Sequence, residues 1–147
     1  MKQVVLGPGE GEHLQLIRSS AVIKAGIETT DGRFALAETT LEPGFEGPRP
    51  HLHRETIDMF FVLEGTLTMQ LDEETLELSA GSFVLVPPVT KHTFSNPTAQ
   101  RVRLLNMDVP AGLESYLREM ASAMADDPID RALVTEIASR YDIAAAE

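Results

Sequence analysis

Cysteine is absent from this chain of 147 residues, which removes disulfides and thiolate metal sites and fits a reducing compartment. No apolar run approaches the roughly 20 residues that a membrane-crossing helix needs. The opening Met-Lys-Gln-Val-Val-Leu lacks a signal-peptide pattern, so a cytoplasmic location is expected, with no membrane partner. Positive charge is scarce: 12 Lys and Arg stand against 23 Asp and Glu, a net charge of −11. Phosphate backbones are held by clustered Lys and Arg, and here the basic residues are scattered, so nucleic acid is not an expected partner. No internal repeat or low-complexity segment is evident. The length suits one domain, 1–147, with a sizeable core.

Short β-type runs punctuated by turn signals fill the first three quarters of the chain. Leu14–Ile17 and Ala21–Ile23 come first, and Thr30-Asp31-Gly32-Arg33 reads as a hairpin connection into the alternating Phe34–Leu41. Met59–Leu63 reads as a strand buried on both faces and closed by Glu64-Gly65. Thr66–Leu71, Thr75–Leu78, Ser82–Val86, His92–Ser95 and Arg101–Val109 follow. Many short strands with tight turns indicate an antiparallel sandwich or barrel with Greek-key or jelly-roll connections. After Pro110 the period changes: Leu113, Tyr116, Leu117, Met120 and Met124 recur at helical spacing. Asp127-Pro128, with Asp130 at the third helical position, then predicts the start of a second helix carrying Ile129, Leu133 and Ile137. Two such short helices must pack on the outside of the β-structure or over one mouth.

Chemistry concentrates in His51-Leu52-His53, Asp58 and His92. Side chains two apart on a strand share a face, so His51 and His53 look into one interior. Asp58 shares a face with Phe60 and Val62 after the turn at Arg54–Thr56. An ionised aspartate on an apolar strand is costly without a partner and acceptable beside a metal. Three imidazoles and one carboxylate can close around one divalent metal. Each has a plain alternative: a hydrogen-bonded or surface histidine, a turn aspartate, a loop histidine after Pro87-Pro88. His13 has no placed partner and is expected at the surface.

The two segments together resemble the cupins. Gly44 to Gly65 matches their first motif, with Asp58 where that family has glutamate, and Gly81, Pro87, His92 and Asn96 match the second in order and spacing. The likeness runs from about Gly11 to Val109 and is greatest to the small, single-domain, quercetin-dioxygenase-like cupins. It implies an all-β, antiparallel jelly-roll barrel over about 11–109, with two short C-terminal helices packed on it over about 111–143. Carried over residue by residue, it makes His51, His53, Asp58 and His92 the metal ligands. Asp58 is one methylene shorter than glutamate, so either the metal shifts towards its strand or the carboxylate hydrogen-bonds a ligand or water instead. Val89 stands in place of a glycine, and a β-branched residue resists positive φ, so another turn is expected before His92.

The ligand set suits one divalent transition metal, iron, manganese, nickel, cobalt or zinc, without separating them. By parity Leu36, Glu38 and Thr40 form one candidate pocket face, with Phe60, Val62 and Phe94 on the ligand side. Asp58 and Glu38 are the candidate proton acceptors, Glu38 having a solvent-facing position as its alternative. The resemblance implies a metal-dependent, dioxygenase-like enzyme acting on a small hydrophobic oxygenated substrate, aromatic or enolisable. A metal-dependent isomerase or cyclase of polyketide-type metabolism and a non-catalytic ligand-binding module are the alternatives. A homodimer is expected from the family's habit of pairing barrel edges, with Gln3–Leu6 as an apolar segment able to add to an edge.

Overall fold

The computed structural model describes residues 1–125 and 130–146. In chain order the elements are β1 (Glu12–Gln15), β2 (Ser19–Ala25), α1 (Ile27–Thr30), β3 (Ala35–Leu41), β4 (His51–Leu52), β5 (Ile57–Glu64) and β6 (Thr66–Leu71). Then come β7 (Glu74–Ser79), β8 (Phe83–Val86), β9 (His92–Ser95), β10 (Val102–Val109), α2 (Leu113–Met124), α3 (Arg131–Ser139) and β11 (Ala144–Ala145). One antiparallel sheet has the order β1-β2-β3-β10-β5-β8, the other β11-β4-β9-β6-β7. Among the described residues these two sheets are not hydrogen-bonded into a closed ring. The expected barrel is therefore an open two-sheet jelly roll, with β1 and β8 as the edges of one sheet and β11 and β7 as those of the other.

Alternation drives the packing. On β10, Val102, Leu104, Asn106 and Asp108 turn inward while the residues between them are half-buried. Phe60, Val62 and Leu104 meet Leu67 and Met69 of the facing sheet in one core cluster. Each fully buried apolar side chain contributes about 1.5–3 kcal/mol. The chain passes from one sheet to the other at Gly65, whose φ of 80° and close approach to the Arg101 carbonyl leave no room for a side chain.

Several expectations are corrected. Phe61 and Leu63 are 40% and 38% exposed, so β5 is buried on one face only; beside them Phe83 and Leu85 of the edge strand β8 extend an apolar outer face. The first strand lies two residues earlier than the apolar run indicates, because Arg18 takes a left-handed turn (φ 54°) directly after it. The β2–β3 connection contains the single helical turn α1, capped by Asp31 at φ 53°. The second C-terminal helix starts at Arg131, where the Asp130 carboxylate accepts from Ala132 N at 2.9 Å and Leu133 N at 3.3 Å. Asp127, Pro128 and Ile129 lie outside the described residues. Leu117 of α2 packs on Ala21, Ile23 and Ala37. By register Ala37 lies beside Asn106, which in turn pairs with Phe60 on the same face, so α2 covers the inner face where the second sheet does not. No helix among the described residues is long and apolar enough to cross a membrane.

Candidate metal centre

Three loops and strands bring the histidines together. His51 on β4 pairs with His92 on β9, and His53 follows one residue after β4. Their ring centroids are 4.5 Å (His51–His92), 5.1 Å (His51–His53) and 5.1 Å (His53–His92) apart. Each Nδ1 faces a main-chain carbonyl: Arg49 at 2.8 Å for His51, Asp142 at 2.6 Å for His53, Thr90 at 2.9 Å for His92. A carbonyl only accepts, so each Nδ1 carries a proton and Nε2 is the ring atom left for the shared centre, a lone pair on a neutral ring and an N–H donor on a charged one. One ligand atom from each ring lies within 4.8 Å of the others, and the three can hold a metal ion.

Asp58 reaches the same place from β5. Its Oδ2 lies 3.3 Å from His92 Nε2 and 3.6 Å from His53 Nε2, while its Oδ1 accepts from Asn106 Nδ2 at 2.6 Å. Burial works against its charge, but the hydrogen bonds of His53 and His92 outweigh burial and hold the carboxyl well below the usual carboxylate range. Burial lowers the His51 pKa to about 4. Burial also opposes charge on His53, yet the Asp58 carboxylate and the Asp142 carbonyl prevail and raise its pKa. Lone pairs and an anion thus converge on one point, and a positive charge must sit among them. A proton shared by His53 and Asp58 is one solution, and a divalent cation is the other. The donor set therefore fits a metal. Asp108 stands beside Asp58 on β10, with Oδ1 buried and, among the described residues, unpaired; burial and the charge of Asp58 push its pKa well up.

The Cupin domain family model (Cupin_2) matches residues 37–108, a span that contains every one of these side chains except Asp142. The quercetin 2,3-dioxygenase of Bacillus subtilis (strain 168) is 29% identical over 121 residues, which are 79% of this chain and 34% of that protein. This chain is a member of the cupin superfamily. It spans about a third of the length of that curated relative. Among solved structures, KdgF from Halomonas sp. superposes with a TM-score of 0.64 at 15% identity, covering 78% of this cupin and 99% of that chain. The polyketide cyclase RemF from Streptomyces resistomycificus gives 0.63 at 22% identity, covering 74% and 79%. At such identities these two speak for the shared fold alone.

Not every expected site residue comes to the centre of this cupin. Leu36, Glu38 and Thr40 lie on the outer face of β3, because the register sets Ala37 beside Asn106 and Thr39 beside Leu104, the inward residues of β10. Glu38 there binds Arg103, which also reaches Glu64 at 3.4 Å. It has no access to the histidines, and Asp58 is the one expected proton acceptor left at the site. Phe60 and Val62 are each 1% exposed and locked in the core. Phe94 packs tilted at 5.3 Å against Phe60 and 5.9 Å against Phe45, part of the apolar core. Glu55 sits on the turn, and His13 is exposed, with Nε2 against the Gly9 carbonyl at 2.7 Å. Asn96 is fully buried and ties loops: its amide donates to the carbonyls of Leu41 and Gln100 while its oxygen accepts from Thr98.

Val89 reverses an expectation. It does adopt the left-handed backbone, at φ 65°, and its N–H donates to the His53 carbonyl at 2.7 Å. That bond holds the loop in a shape that suits glycine. A left-handed L-residue costs about 1–2 kcal/mol, and the extra freedom of unfolded glycine returns about 0.5–1 kcal/mol of that. Val89→Gly is therefore expected to stabilise the chain by about 0.5–1 kcal/mol, raising Tm by roughly 1–4 °C with metal retention unchanged. A lower Tm would show that the side chain, 67% exposed, contributes packing after all.

Asn106, Asp108 and Asp142 escaped the sequence reading. The first two follow from parity on β10, where polar residues alternate into an otherwise apolar face. Asp142 carries no such signal, since its contacts span 86 to 89 residues.

Proposed function

We propose that this cupin is a metal-dependent, dioxygenase-like enzyme acting on a small hydrophobic oxygenated molecule, aromatic or enolisable. The observation that carries the reading is the convergence of three Nε2 lone pairs, each oriented by a carbonyl behind its ring, beside the ionised Asp58. His51, His53 and His92 would hold one divalent transition metal, with Asp58 either as a fourth ligand or hydrogen-bonded beside it. A metal there supplies a polarising charge for an enol or carbonyl oxygen and a place where substrate and dioxygen meet. The residues do the rest. Asn106 fixes one oxygen of Asp58, leaving the other to accept a proton from the substrate. Asp108, paired with Asp58 in register and with its pKa pushed up by burial and by the Asp58 charge, would hold a proton beside the carboxylate. Phe60 and Phe94 exclude water from the inner side.

A second reading keeps the metal and drops oxygen: an isomerase or cyclase in which Asp58 moves a proton along an enolisable substrate. The buried Asp58–Asp108 pair, adjacent in register with one pKa held down and the other pushed up, favours it, because such pairs separate proton acceptor from proton donor. Oxygen uptake distinguishes the two. With quercetin and a set of enolisable phenolic ketones as probes, the dioxygenase reading expects uptake matched one-to-one with substrate loss. Equal product under argon would transfer the assignment to the isomerase or cyclase. If the protein purified without added metal holds none and gains none on dialysis against cobalt or nickel, a plain ligand-binding module is left.

A further inference from the structure

Two of the three histidines stand on a segment with little support from its own neighbourhood. β4 is two residues long and meets β9 only at the His51–His92 pair. Its other edge is taken by the far end of the chain. Ala144 and Ala145 of β11 pair with Leu52 and His51, and Ala146 N donates to the Pro50 carbonyl at 3.1 Å. Asp142 then grips the segment twice. Its main-chain carbonyl accepts from His53 Nδ1 at 2.6 Å. Its carboxylate accepts from Arg54 N at 2.7 Å, Glu55 N at 2.9 Å, and Thr56 N and Oγ1, each at 2.9 Å. Three successive backbone N–H groups on one carboxylate form a closed anion nest, and charge-assisted bonds of this kind are the strong ones.

Asp142 is itself held from behind. Tyr141 donates its hydroxyl to Glu119 of α2 and sets its ring edge-on to Tyr116 at 5.7 Å, and Arg140 reaches the same Glu119 at 2.9 Å. In turn α2 is fixed to β1 by Arg118, whose Nη2 lies 2.7 Å from Glu12. A continuous series of contacts thus runs from the outer helix to the imidazole of His53.

We propose that Asp142 is a positioning residue of the metal centre, and that residues 142–146 form a strap whose docking is thermodynamically linked to metal binding. The proposal rests on the reading of His51, His53 and His92 as metal ligands. The carbonyl behind an imidazole sets its tautomer and direction, so losing it costs affinity without removing a ligand. Linkage also runs the other way: metal that prefers the strapped state must hold the strap down.

The test uses the full chain and cobalt(II). Affinity is read by competition with a chromophoric chelator, geometry by the visible cobalt spectrum, and docking by hydrogen exchange with and without the metal. Asp142→Ala keeps the main-chain carbonyl but removes the carboxylate that docks the strap on residues 54–56, and is expected, by letting that carbonyl move off His53, to weaken cobalt binding by about 10- to 100-fold and to change the spectrum. Tyr141→Phe, which touches no ligand, is expected to act in the same direction and less, whereas the exposed-strand control Glu77→Gln leaves both unchanged. In the unaltered protein, cobalt is expected to slow exchange at the amides of Arg54, Glu55, Thr56 and Ala146. If the unaltered protein binds no cobalt, the metal-site reading falls and the proposal with it. If it binds and Asp142→Ala binds equally well with the same spectrum, the proposal alone is overturned. Should Asp142→Ala fail to fold, the exchange experiment decides: no slowing at those four amides refutes the linkage.

Discussion

A chain carrying His51→Ala and His53→Ala together is expected to purify without a bound divalent metal and to gain none on dialysis, while remaining folded. The two side chains supply two of the three converging Nε2 atoms, and a single imidazole with one carboxylate is not a site that competes with buffer. The loss should far exceed the roughly 10–100-fold that follows from removing an outer hydrogen-bond partner. Stability should suffer little. Both rings are polar groups at one end of the core, outside the apolar cluster that holds the sheets together. What is lost is local: Asp58 gives up His53 as a neighbour and the Asp142 carbonyl gives up its imidazole donor. Metal content by elemental analysis checks the prediction, with circular dichroism as the folding control. Unchanged metal per chain in the folded double variant would end the proposed site.

Gly47→Ala is expected to be the most damaging small substitution in the chain. The residue has φ 82°, and a methyl group there would lie 3.0 Å from the Phe94 carbonyl carbon and closer still to its oxygen. The left-handed backbone costs an L-residue about 1–2 kcal/mol, and forcing a group into filled space adds about 1–3 kcal/mol. The neighbour is backbone and cannot rotate away. Relief must come from lifting the 46–48 loop off β9, the strand that carries His92, and from breaking the bond of Thr93 Oγ1 to the Pro48 carbonyl at 2.6 Å. A loss of about 2–5 kcal/mol, on the order of 10 °C in Tm, is expected, with weakened metal retention. Gly81→Ala is the companion measurement. Its φ is 91° but nothing lies within 4 Å of the added methyl, so it should pay only the backbone part, about 1–2 kcal/mol. Equal losses in the two variants would mean that the close approach to β9 is absent.

The strand pattern of residues 57–109 was legible because alternation and turn residues are local. Asp58, Phe60 and Val62 do share an inward face, and Thr66–Leu71 and His92–Ser95 are strands with those bounds. Parity on β3 was legible but its phase was not. Leu36, Glu38, Thr40 and their neighbours alternate equally well either way, and only pairing with β10 decides which set turns inward. The exposed apolar face of Phe61, Leu63, Phe83 and Leu85 misled for a related reason. A run of large apolar residues looks the same whether a second layer covers it or not. Val89 shows a third limit: a local preference against positive φ yielded to one hydrogen bond from a neighbouring loop. What sequence spacing reached at the site were the histidines and Asp58, all on short stretches of chain. The groups that orient them arrive from distant segments: Asn106 and Asp108 show only as polar residues alternating into the apolar face of β10, and Asp142 carries no spacing to read.

The bond between His53 and Asp142 also sets an order of events in time. Its two ends are 89 residues apart, so at synthesis rates of about 5–20 residues per second the histidine emerges on the order of 5–20 s before the residue that orients it. During that interval the segment of His51 and His53 has at most the single His51–His92 pair with β9 to hold it. Only when the last strand pairs with them does the pocket acquire its shape. A translation product stopped short of Asp142 would present these histidines without the carbonyl that directs His53 or the carboxylate that holds residues 54–56.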